Sequence, residues 1–101
     1  MTLYRITTLC QGAVSALEMA RMLPDYADEA LRLAIGACEA AVDDLTCNNL
    51  PASAENRLCV TLERLKDAKA AGTPPTPTML EDCACTLHRV AAIAITTEHN
   101  Q

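Results

Sequence analysis

From Leu3 onward, apolar or small residues fall at positions 3, 6, 10, 13, 17 and 20 in alternating steps of three and four, while Gln11, Ser15 and Glu18 lie on the opposite side. This spacing predicts an amphipathic helix over about residues 3–23, ended by Pro24. Asp25 is placed to cap the next helix, with Asp28 three residues on, where a carboxylate meets the positive helix end. That second helix is expected over about 26–47. Ala27, Leu31, Ala34, Cys38, Ala41 and Leu45 form its apolar line, and Leu33, Ile35, Ala37 and Val42 widen it to more than half the circumference, enough to touch two neighbours.

Asn48 and Asn49 tolerate the left-handed conformation that ends helices, and Pro51 follows. A third helix, about 54–71, shows Leu58, Leu62 and Leu65 flanked by Ala54, Thr61 and Ala68. This is the narrowest stripe of the four, with Lys66 and Lys69 at its edge and Gly72 at its end. Residues 72–78 form a Pro-rich loop. Thr78 and Glu81 then match a capping box for a fourth helix, about 79–97, whose stripe is Leu80, Cys83, Leu87, Val90 and Ala94. No alternating strand pattern occurs. The expectation is an all-α fold, an antiparallel four-helix bundle occupying residues 1–101 as a single domain.

Composition changes this picture in one respect. Half the residues are hydrophobic, yet there is no Phe or Trp, and the only aromatics are Tyr4 and Tyr26. A core of Ala, Leu and Cys gains less per position than one with aromatic rings, so its helices must approach closely. Homodimerisation is expected as a way of completing or extending the bundle. Gly12, Ala16 and Ala20, with Gly36 and Ala40, are spaced for close backbone approach, either within the chain or across a dimer seam.

Charge narrows the partners. The formal net charge is −5, with no basic stripe, which argues against nucleic acid and anionic lipid surfaces. No apolar run reaches the roughly 18 residues of a membrane span, and residues 1–10 carry no unbroken apolar core of a secretion signal. A cytoplasmic protein is expected.

Six cysteines demand an account. Cys10, Cys38 and Cys83 fall on core stripes and Cys59 beside one, where a reduced cysteine acts as a small hydrophobe. Two metal ligands on one helix must stand three or four residues apart, and no cysteine pair does. Cys83 and Cys85 are two apart, so one faces the core and the other points away. A soft-metal site would need Cys10, Cys38, Cys59 and Cys83 to converge with Met19 or His88. Neither metal nor cofactor is expected, and no pair of titratable groups suggests general acid–base catalysis.

The expected function is therefore that of a binding module, a regulator of the inhibitor, antiactivator, immunity or chaperone type acting on another protein. A thiol-rich metal or redox bundle and a structural homo-oligomer subunit are the alternatives. Candidate contact residues are apolar side chains outside the stripes, Tyr4, Met19, Met22, Val60 and Ile93, and carboxylates of helix two, Asp28, Glu39 and Asp43. The latter belong to an acidic set that also holds Asp25, Glu29 and Asp44 and would suit a basic patch.

Overall fold

The computed structural model describes residues 2–46, 50–72 and 75–99, with side chains over 5–45, 50–72 and 75–97. Four helices follow one another: α1 (Thr2–Met22), α2 (Ala27–Thr46), α3 (Ala52–Ala71) and α4 (Pro77–His99), with a 3-10 turn at Pro24–Tyr26 between the first two. They pack against each other as an all-α four-helix bundle of about 43 × 20 × 19 Å, without strands among the described residues. Cys47, Asn48 and Asn49 lie outside the described residues.

The direction of each helix is read from its ion pairs. Arg5 near the start of α1 has its Nε 3.1 Å from Asp44 Oδ2 near the end of α2. Arg21 at the end of α1 meets Glu81 at the start of α4 at 3.9 Å, and Lys69 at the end of α3 reaches Asp28 at the start of α2 at 2.9 Å. Neighbours are thus antiparallel. α1 packs on α2 and α4, and α3 completes the ring against the same two helices but over a smaller area. The narrow stripe on α3 explains that difference.

The stripes are buried as their period dictates. Ile6, Leu17, Leu58, Leu65, Leu87 and Val90 are inaccessible to solvent, each burial stabilising the fold by roughly 1.5–3 kcal/mol. Leu33 departs from expectation. It is 55% exposed, because it sits roughly 120° around α2 from the centre of the buried line, beyond the arc that α1 and α3 cover. Ile35, Ala37 and Val42 pack against the core at its margins. Thr61 is buried among apolar neighbours and satisfies its hydroxyl by donating to the Arg57 carbonyl at 2.9 Å.

Two helix starts also differ from the sequence pattern. Asp25 lies inside the 3-10 turn rather than at a cap, and backbone groups close this corner: Leu23 N–H donates to Met19 O and Tyr26 N–H to Leu23 O. α4 begins two residues earlier than the capping-box pattern suggests. Thr76 is its cap, its Oγ1 accepting from Met79 N–H at 3.2 Å, and Pro77 takes the first helical position, where a missing N–H costs nothing. Gly72 ends α3 in the left-handed conformation at φ 70°, its N–H donating to Lys69 O, as expected.

Along α2, Ala30, Ala34, Ala37 and Ala41 recur on the side that carries Asp44 toward α1. Along α1, Ala13, Ala16 and Ala20 recur on the side of Arg5. All but Ala37 are buried, so α1 and α2 meet along alanine. Gly12 and Gly36 take no part, for a Cβ added at either would meet open space. One chain exposes 5855 Å², close to the roughly 5,500 Å² of a folded monomer of its mass, so closing this core does not require a second copy.

Candidate functional surfaces

The thiols divide into two environments. Cys10, Cys38 and Cys83 are buried on α1, α2 and α4, Cys59 is half-buried, Cys85 is exposed, and all five are free. Burial pushes the Cys10 thiol up to about 11. Cys38 is pushed up to about 12, by burial first and then by Cys10, Cys83 and Glu39, whose negative charge opposes a thiolate there. Cys83 is also raised by burial, with Arg64 acting in the opposite sense. These thiols are held protonated, as non-nucleophilic core residues. The cysteines of four helices do not meet at one point, and among the described residues no three His, Cys, Asp or Glu side chains converge in a group that could hold an ion. Met19 and His88 are both exposed.

Cys83 faces the core and Cys85 the surface, as their spacing requires. Cys85 lines a cleft of about 230 Å³ between α1 and α4, together with His88, Arg21 and Glu81. Cys85 and His88 stand three apart on α4, and α1 supplies the opposite wall.

The candidate acidic surface on α2 is largely neutralised from within. Asp28 pairs with Lys69, Glu39 with Lys66 at 3.6 Å, and Glu29 with Arg32. Asp43 is exposed and also has an interaction within the chain. The basic edge of α3 thus serves as counterion to α2 across the bundle. Such exposed pairs contribute little stability individually, but they reduce the charge available to a partner.

The apolar candidates fare differently. Met19 and Met22 are exposed, the latter by 72%, and Val60 is 52% exposed; Ile93 is half-buried. The Tyr4 side chain lies outside the described residues. The structure adds Leu23 and Tyr26, 49% and 61% exposed, which the helical wheels missed because both sit in the turn between two helices. Ile95 is exposed on α4. Met19, Met22, Leu23 and Tyr26 therefore occupy a single corner, at the end of the bundle where α1 passes into α2. Glu18 and Asp25 lie beside them and have no ion pair among the described residues.

Among the described residues no helix is long and apolar enough to cross a membrane. No family model matches the sequence, and no curated protein or solved structure matches it either.

Proposed function

We propose that this chain is a cytoplasmic protein-binding module that regulates a partner protein by docking on it, in the manner of an inhibitor, antiactivator, immunity protein or dedicated chaperone, and that it is not an enzyme. The observation that carries this reading is the corner at residues 19–26. Two methionines, a leucine and a tyrosine are exposed within eight residues of chain, in a protein otherwise able to bury its core. Methionine and tyrosine are enriched at interfaces, the first because it repacks around a partner, the second because it joins a large apolar body to a polar tip. Glu18 and Asp25 would form an acidic rim and favour a partner with basic residues around an apolar pocket. The cytoplasmic placement is supported by Cys10, Cys38 and Cys83, which are free thiols held protonated as small hydrophobes in the core.

The test is capture from the source cell with the wild-type chain and with a Met22→Asp, Tyr26→Asp variant side by side. Both changes fall on exposed positions, so helical content and melting temperature are expected to stay close to wild type. A partner retained by the wild type should bind the variant at least about tenfold more weakly. Equal retention by both would remove this corner from the interface. Concentration-dependent self-association lost in the variant, with no other protein retained, would make the occupant a second copy of the chain.

A further inference from the structure

We infer that the groove between α3 and α4 is a docking site for an acidic amphipathic helix of a partner protein. Of the eight basic residues, Arg5, Arg21, Arg32, Lys66 and Lys69 each have a carboxylate oxygen within 4.0 Å. Arg57, Arg64 and Arg89 have none among the described residues, although the chain carries thirteen carboxylates. These three share one side of the molecule. Arg57 and Arg64 line a groove of about 390 Å³ with Asn56, Val60 and Thr86, and Arg89 stands one turn beyond Thr86 on α4.

The groove is arranged for a ligand with two negative charges and an apolar centre. Arg57 and Arg64 are seven positions apart, two helical turns or about 10.5 Å along the axis, and Val60 lies exposed between them. A helix with acidic residues seven apart and an apolar residue between them meets both guanidiniums and covers the valine, and Arg suits carboxylates because its planar fork donates two parallel hydrogen bonds. Thr61 and Thr86 donate their hydroxyl hydrogens to the Arg57 and Asp82 carbonyls, which leaves the guanidiniums, Asn56 and Ser53 as the donors along the groove. Asp82 and Asp67, one turn from Thr86 and Arg64 respectively, together with the net charge of −5, disfavour an extended polyanion such as nucleic acid. This site lies on a different pair of helices from the corner at 19–26 and does not depend on it.

The experiment is selection of a displayed random helical-peptide library on the wild-type protein. Affinities of the selected peptides are then measured for the wild type, for an Arg57→Gln, Arg64→Gln variant and for the Met22→Asp, Tyr26→Asp variant. The expected result is enrichment of Asp or Glu pairs seven apart with an apolar residue between, affinity lowered at least about tenfold by the arginine changes and left unaltered by the corner changes, and amide shifts at Arg57, Val60 and Arg64 on binding to the wild type. Three results would overturn the proposal: absence of acidic enrichment, equal affinity for the arginine variant, or a labelled single-stranded oligonucleotide that binds these arginines more tightly than any peptide. Each leaves the proposal for residues 19–26 standing, because that one is read from a different variant.

Discussion

Raising the pH from 9 to 11 is expected to remove about 4 kcal/mol of folding stability, a large part of what a domain of this size possesses. Below pH 9 the thiols of Cys10 and Cys38 are protonated in both the folded and the unfolded chain, and they give stability no pH dependence. Above pH 9 the unfolded chain releases these protons. The folded chain keeps them until about pH 11 at Cys10 and about pH 12 at Cys38, because burial opposes the thiolate. The folded state then binds more protons, so stability falls by about 1.4 kcal/mol per pH unit for each thiol, and this contribution is gone once the pH passes the folded values. Urea unfolding followed by helical circular dichroism at pH 8, 9, 10 and 10.5 measures the slope. Cys38→Ala should remove the largest single share of it, with Cys10 and Cys83 supplying the rest, whatever the cavity left by the sulfur costs at pH 8. A slope unchanged in that variant would show that Cys38 is not shielded as described.

The second large effect concerns the alanine line between α1 and α2. Ala34 is inaccessible to solvent on the side of α2 that meets α1. Ala34→Leu adds three carbon atoms where two helices already meet through methyl groups, so the helices must separate and loosen the neighbouring alanine layers. The expected cost is about 3 kcal/mol, or a melting temperature lowered by roughly 10 to 20 °C. Gly36→Ala, two residues further along the same helix, should act in the opposite sense. Its new methyl group meets open space while the unfolded chain loses freedom, for a gain of roughly 0.5–1 kcal/mol. A neutral Ala34→Leu, measured by thermal unfolding, would mean that α1 and α2 are not close-packed.

The fold was legible because a period of 3.6 determines which residues can be buried together. Leu80, Cys83, Leu87, Val90 and Ala94 were identified from spacing alone and are all buried. What the pattern could not supply depends on neighbours far away in the chain. Leu33 is as hydrophobic as Leu31, but only the positions of α1 and α3 decide that one is covered and the other is not. Asp28 and Glu39 read as a docking surface until Lys69 and Lys66, 41 and 27 residues away, are brought opposite them. Similarly, Thr78 satisfies the local capping-box pattern, yet Thr76 caps α4, because Pro77 is already suited to the first helical position.

The candidate surfaces were less legible than the core, and for the same reason. Met19 and Met22 stood out because they fall off a helical stripe, whereas Leu23 and Tyr26 belong to a turn, to which no period applies. The α3–α4 groove depends on a subtraction that sequence alone does not permit. Arg57, Arg64 and Arg89 differ from the other five basic residues in having no carboxylate oxygen within 4.0 Å among the described residues, and this requires the register of all four helices.

Docking through the corner between α1 and α2 is tested most directly by hydroxyl-radical footprinting of the free chain and of the chain bound to its captured partner, because methionine and tyrosine report strongly on solvent access. In the free chain Met19, Met22 and Tyr26 should all be oxidised readily, in keeping with their exposure. In the complex all three should be protected together. Unchanged oxidation of these three residues in a complex that protects other parts of the bundle would contradict the account.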